Sequence, residues 1–470
     1  MIHYGCDDNM MKNQIKTLEL NSSDFALSTD FYELTMAAAY FKSDQRKTRA
    51  VFELFVRKLP RNRSYMVAAG LDQALEYLNN LRFGKKEILF LKSHKSFRKL
   101  GEDFFKYLKN FKFTGDVWAA PEGSILFPNE PILRVEGPII EAQIVETFLL
   151  SVINFQSLIA TKASRITDIT GSKGIVEFGS RRAHGPQAAL LAARASYIGG
   201  CMGTSNTLAG YKFGIPTFGT MAHSYVMSFE KEIDSFKEFT HIFPDGMILV
   251  DTYDSLEAVR KIVQSGLKIK GIRLDSGDLH LLSVQSRKLL DDANLHDAKI
   301  MASGDLDEYI IADLLKNNSP IDFFGVGTEL STSRDDPAMN GVYKLVAIKT
   351  PISKNKYKII YKLKTSIGKK TYPAPKQVYR IFSNGIIQQD IIGLDDEKFD
   401  HVKAIPLLKK VMSRGKIFSK LPSLDKIRDF HISQRDTLPK EFRIIDKIPM
   451  TFPVSYSEKL ETIAREFQPQ

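Results

Sequence analysis

Cysteine is nearly absent: Cys6 and Cys201 are the only two in 470 residues. Two thiols far apart in a long chain build no disulfide framework and point to a reducing compartment, the cytoplasm. Long apolar runs are missing as well. No uninterrupted stretch approaches the ~20 apolar residues of a membrane helix. The polar segment 1–16 has no apolar signal core and reads as part of a flexible tail over 1–20. No zinc-ligand spacing, ribonucleoprotein box or helix-turn-helix pattern occurs, which argues against nucleic acid as a partner. No GxGxxG opens a helix after the first strand of the central region, which disfavours a dinucleotide fold.

What is present is a chain of globular composition, 43% hydrophobic and 26% charged, long enough for two or three domains. Its net charge of +11 is not evenly spread. From Val346 onward there are 25 Lys and Arg against 13 Asp and Glu, so residues 1–345 are close to neutral. A lysine-rich solvated face accounts for such a segment, and attraction of small anions is the second explanation.

Patterning divides the chain into four parts. After the tail, residues 21–170 read as an α+β domain. A helix starts behind Ser28-Thr29-Asp30, a strand covers 51–57, and an amphipathic helix covers 70–81. Short β runs punctuated by proline and glycine fill 113–140, and a long, sparsely charged helix spans about 141–167. Residues 346–470 turn β-rich again and then helical, with a hairpin turn at Asn384-Gly385. They are expected to pack back on the N-terminal domain.

Between these parts, over 171–345, one event repeats: an apolar run ends abruptly in small, hydroxylic or charged residues. The runs end in Gly179-Ser180-Arg181-Arg182, Gly219-Thr220-Met221-Ala222-His223, Asp251-Thr252, Arg273-Leu274-Asp275-Ser276-Gly277-Asp278, Ser303-Gly304-Asp305 and Gly325-Val326-Gly327-Thr328. Helical stretches at 187–198, 206–213, 224–239, 256–264, 281–293 and 308–316 separate them. Continuous apolar runs are strands buried on both faces. Strands alternating with helices form parallel βα units, whose chemistry sits at the strands' C-terminal ends. The expected architecture is an irregular TIM-like α/β barrel carrying the active site, with an additional α+β domain built from both chain termini.

The strand ends differ in what they offer. Gly325 and Gly327 let backbone N–H groups approach an anion beside Thr328, although a tight turn alone also needs glycine. Asp305 stands three residues before Glu308, as a capping box would, and capping is compatible with phosphate binding at Gly304 and Asp305. Arg273, Asp275 and Asp278 crowd one strand end; such charges must pair, hold a metal or meet a ligand. Of Arg181 and Arg182, one is expected in the mouth and the other packed outside. His223 opens a helix, whose positive terminus disfavours its protonated form. A neutral imidazole there can act as base, nucleophile or ligand, or merely bond at the rim.

Five ordered blocks resemble those of the nicotinate phosphoribosyltransferases. They are Thr29-Asp30-Phe31-Tyr32-Glu33-Leu34-Thr35-Met36, Glu177-Phe178-Gly179-Ser180-Arg181-Arg182-Ala183, Gly219-Thr220-Met221-Ala222-His223-Ser224, Gly271-Ile272-Arg273-Leu274-Asp275-Ser276-Gly277-Asp278 and Gly325-Val326-Gly327-Thr328. The resemblance runs from about Leu27 past residue 420. It implies the first step of NAD salvage from nicotinate: nicotinate and 5-phosphoribosyl 1-diphosphate form the mononucleotide and diphosphate, in a ligase-type reaction coupled to ATP as co-substrate, with Mg2+. By the same resemblance, ATP phosphorylates His223. Thr220 and Arg273 contact nicotinate, and Tyr32 covers its ring from the neighbouring subunit of a homodimer. Gly325, Gly327 and Thr328 hold the 5-phosphate, and Arg181 adds to the anionic pocket. Asp275, Ser276 and Asp278 lie near the ribose and the magnesium diphosphate, whose metal ligands stay unassigned. Phe31 and Glu33 depart from the family, which often carries Leu and Gln there.

Three other readings compete. Within the class stand the nicotinamide and quinolinate enzymes. A nonenzymatic protein binding RNA or phosphorylated partners through its basic quarter is a second. A barrel aldolase or isomerase is the third, and it lacks a strand-end lysine.

Overall fold

The computed structural model describes residues 20–353, 356–366, 368–399, 404–418, 420–445 and 449–467. All of the expected tail over 1–20 except Leu20 lies outside them, and Cys6 with it.

Five of the six apolar runs lie side by side as short strands, joined by Gly203–Thr204. Gly203–Thr204, Gly174–Glu177, Phe323–Val326, Lys299–Ala302, Gly271–Leu274 and Ile248–Leu249 pair in that order, all parallel. The run 215–218 joins through one bridge, Thr204 to Thr217. Pro216 has no N–H to donate, but its carbonyl accepts from the Thr204 N–H at 3.0 Å. Among the described residues no pairing joins Leu249 to Thr217, so the barrel is irregular, as expected.

The chain's two ends meet in one antiparallel sheet. Its order is Lys356–Tyr361, Gly341–Ser353, Arg49–Val56, Pro131–Pro138, Asp116–Ala119, Lys409–Ser413 and Lys416–Ile417. Glu53 faces Arg134 on one side and Lys344 on the other. The strand Gly341–Ser353 starts inside the segment that patterning assigned to the barrel. A four-stranded sheet completes the C-terminal part, and its hairpin turns at Asn384 (φ 50°) and Gly385 (φ 78°), as the dipeptide predicts.

The helix Glu146–Ile169 ties the two parts together. Phe148, Leu149, Val152 and Ile153 belong to the N-terminal core, while Ile159, Ala160, Ala163 and Ile166 belong to the barrel core. The span Ile139–Ile169, close to the long helix expected over about 141–167, is long and apolar enough to cross a membrane by composition alone. Most of its apolar window is buried inside the protein, so it is a core helix.

Two local expectations are corrected. The single helix over 224–239 is two, His223–Met227 and Glu232–Ile242. Ser228 ends the first by turning its hydroxyl onto the Tyr225 carbonyl at 2.7 Å. Asp305 does not cap the helix Glu308–Lys316: Asp307 does, accepting from the Tyr309 and Ile310 N–H groups. Asp305 instead holds positive φ in the preceding loop.

Candidate active site

The C-terminal ends of the parallel strands enclose a cavity of about 440 Å³. Ten of the thirteen candidate site residues line it: Arg181, Thr220, His223, Arg273 and Asp275, with Gly304, Asp305, Gly325, Gly327 and Thr328.

Arg273 leaves its strand half-buried and is fixed on three sides. Its Nη2 donates to Asp275 Oδ1 at 2.6 Å, its Nε to Ser303 Oγ at 2.8 Å and its Nη1 to Thr220 Oγ1 at 3.1 Å. Ser303 also donates to Asp275 Oδ1, which closes the triangle. The Phe178 ring lies 5.4 Å from the guanidinium carbon. A pre-oriented guanidinium beside an aromatic wall suits a planar anion.

His223 is the first residue of its short helix, and its side chain is 45% exposed. Nδ1 lies 3.2 Å from Thr252 Oγ1, and Nε2 lies 4.0 Å from Asp275 Oδ2. The imidazole is thus bonded at the rim and also faces the cavity.

Gly304 is pressed against the neighbouring strand end. At φ +95°, a Cβ there would sit 2.0 Å from the Asp275 carbonyl oxygen, so only glycine fits. Gly325 would drive a Cβ into the Phe178 ring. At these two glycines the loops therefore approach the cavity as bare backbone.

Arg181 and Arg182 both line the cavity, contrary to the expectation that one packs outside. The N–H groups of Arg182 and Ala183 return to the Gly179 carbonyl, and this turn carries both side chains over the mouth. Buried Glu177 anchors the turn, accepting from Thr204 Oγ1 at 2.5 Å and from the Gly179 N–H. Burial pushes its carboxyl up from the ordinary value.

Three candidates lie elsewhere in this chain. Asp278 caps the helix Leu279–Asp292 by accepting from the Leu281 N–H. Ser276 is exposed and donates to Asp251 Oδ2 at 2.8 Å. Tyr32 stands 46% exposed on the helix Phe31–Lys42, outside the cavity. Asp30 precedes that helix without a side-chain cap; its carboxylate accepts from Thr147 instead.

Residues 27–154 match the nicotinate phosphoribosyltransferase N-terminal domain, 174–380 the nicotinate phosphoribosyltransferase family, and 398–464 its C-terminal domain. A nicotinate phosphoribosyltransferase of Mycobacterium tuberculosis is 43% identical over 442 residues, covering 93% of this chain and 92% of that protein. The Bacillus subtilis nicotinate phosphoribosyltransferase is 40% identical over 472 residues, covering 94% and 95%.

The chain belongs to the nicotinate phosphoribosyltransferase family.

The solved human nicotinic acid phosphoribosyltransferase superposes with a TM-score of 0.81 at 27% identity, covering 94% of this chain and all of that one. Given the family, the residues that sequence reading left unassigned become informative. Phe178, Arg182 and Ser303 line the cavity beside the assigned ones. Asp251 stands with His223 and Asp275, their nearest ligand atoms within 4.8 Å of one another. One Asp251 oxygen, Oδ1, is buried without a hydrogen-bond partner. The signal for Asp251 was in the sequence, since it ends an apolar run just as Asp275 nearly does. Two carboxylates with a free buried oxygen fit a hard divalent cation.

Proposed function

We propose that this chain joins nicotinate to 5-phosphoribosyl 1-diphosphate, with ATP consumed through a phosphohistidine at His223, in the cytoplasm and as the first step of NAD salvage. The triply fixed Arg273 carries the reading. A guanidinium locked beside Thr220 and an aromatic wall binds the carboxylate of a pyridine acid, and it offers an amide nothing that a carboxylate would not take better.

The reaction is a displacement at the anomeric carbon. The pyridine nitrogen attacks with its own lone pair, so no general base is needed. The bond from that carbon to the diphosphate oxygen breaks, and the diphosphate leaves with the electron pair. Asp275, held by Arg273 and Ser303, stabilises the positive charge that develops on the ribosyl group. Arg181 and Arg182 hold the departing diphosphate. The bare backbone at 325–328 and 303–305 receives the 5-phosphate end. Asp251 and Asp275 would hold Mg2+, which supplies charge neutralisation for the diphosphate when bound. His223 takes the terminal phosphoryl group of ATP onto its imidazole and ADP leaves; later hydrolysis restores the ring. The added charge beside Asp275 is what couples ATP to the site.

Tyr32, solvent-exposed in the single chain, would cover the nicotinate ring of a second copy in a homodimer with shared sites. The deciding experiment supplies 5-phosphoribosyl 1-diphosphate, Mg2+ and ATP with nicotinate, nicotinamide or quinolinate. Mononucleotide from nicotinate alone supports the reading; preferential turnover of the amide or the dicarboxylate refutes it.

A further inference from the structure

The chain leaving each phosphate-side loop runs into one buried ion cluster, and that cluster contains no cavity residue. Glu308 follows the loop 303–305, and Asp335 follows the loop 325–328. Both carboxylates meet Lys162, from the middle of the helix Glu146–Ile169. Lys162 Nζ lies 2.5 Å from Glu308 Oε2 and 3.1 Å from Asp335 Oδ1, with its side chain 1% exposed. Arg63 clamps Asp335 at 2.7 and 3.0 Å and donates to Ser333, and Arg165 Nε reaches Glu308 Oε1 at 3.3 Å.

We propose that Lys162 is a positioning residue for the sugar diphosphate: one ammonium holds the two phosphate-side loops in register, and so sets the affinity for 5-phosphoribosyl 1-diphosphate without touching it. This rests on reading the cavity as the site of that substrate.

Three observations support it. First, the cluster has three cations and two carboxylates, so it leaves positive charge inside the protein. Arg63 Nε and Arg165 Nη2 are buried without a hydrogen-bond partner among the described residues. Buried ion pairs add little to stability by themselves, since apolar replacements often do as well. An excess of charge behind anion-binding loops has a use that stability does not supply. Second, the cluster's field reaches the loop: burial raises the carboxyl of Glu329, the neighbour of Thr328, above its ordinary value, and Lys162 is the largest of the effects opposing that rise. At the cluster itself the cations win, holding Asp335 and Glu308 below the usual carboxylate range despite burial. Third, both loops meet the cavity partly as glycine backbone, at Gly304, Gly325 and Gly327, and it is the first of them that Ser303 anchors there, to Arg273 and Asp275.

The test measures wild-type binding of 5-phosphoribosyl 1-diphosphate by calorimetry, then steady-state constants for two variants. In K162M/E308Q the Lys162–Glu308 pair becomes neutral. D335N neutralises the carboxylate that Lys162 and Arg63 share, and so weakens the tie to the second loop. Each should fold, with a cooperative thermal transition. Each should raise the KM and Kd for 5-phosphoribosyl 1-diphosphate, by about tenfold in K162M/E308Q, while the KM for nicotinate and kcat stay within about twofold. A folded K162M/E308Q variant with an unchanged Kd for the sugar diphosphate overturns the proposal. So does a parallel rise in both KM values, which marks general distortion. A wild-type protein that does not bind the sugar diphosphate refutes the reading of the cavity itself.

Discussion

Arg273 and Asp275, two residues apart on one strand end, are locked together at 2.6 Å, and Ser303 from the next strand binds both. The residue that would recognise the substrate's carboxylate and the one that would stabilise the ribosyl cation therefore move as one body. Parallel pairing sets this up, because it places Met301 beside Arg273 and Ala302 beside Leu274.

Replacing Arg273 by alanine should raise the KM for nicotinate by about a hundredfold, the loss of one charge-assisted pair of about 2–3 kcal/mol. It should also lower kcat, because Asp275 loses its partner. Steady-state kinetics with varied nicotinate checks both; an unchanged KM would move carboxylate recognition elsewhere.

His223→Ala should abolish stimulation by ATP and any acid-labile phosphorylation of the protein, yet leave slow synthesis without ATP. Labelled ATP and mononucleotide assays read the two separately. ATP stimulation that survives the change would sink the phosphohistidine.

Gly304→Ala should cost about 2–4 kcal/mol, because a side chain at φ +95° meets the Asp275 carbonyl oxygen at 2.0 Å. Relief of that clash displaces Asp275, so turnover should fall further than thermal stability. A variant with wild-type kcat would show that the loop tolerates displacement.

Mixing Y32A and H223A homodimers under subunit exchange should regenerate ATP-coupled activity, near a quarter of wild type at random pairing. One site of each mixed dimer then carries both residues. No recovery despite demonstrated exchange would place Tyr32 and His223 in the same subunit's site.

Burial raises Glu33 to about 7, with Glu146 adding to the effect and the donors Thr29 and Thr147 opposing it. A carboxyl raised on folding favours the protonated native state, so its ionisation lowers stability as pH climbs from about 4.5 to about 7. Relative to wild type, E33Q should therefore gain about 2 kcal/mol between pH 5 and pH 8, read as thermal midpoints at both. A constant difference across that range would show that Glu33 does not titrate there.

Much of this was legible in the chain. Continuous apolar runs announced two-sided burial, and the abrupt polar residues after them announced a mouth, because strand ends are where a parallel sheet leaves side chains free. That is why ten candidates converge on one cavity. The sequence was less informative where a role depends on a neighbour. Asp305 looked like a cap, but backbone geometry gave that task to Asp307. Asp278 looked like a ligand and caps a helix. Asp251 stood at a run end like the others, but only folding set it beside Asp275 and His223.

By itself, then, the sequence determined the alternation of strands and helices, the position of the chemistry at strand ends, and the family. These depend on local pattern and residue type. Tertiary structure decided which arginines share the mouth, which aspartates face His223, and that one buried lysine ties two loops together. The last two depend on contacts between segments from about thirty to well over a hundred residues apart, and a one-dimensional pattern carries no record of such contacts.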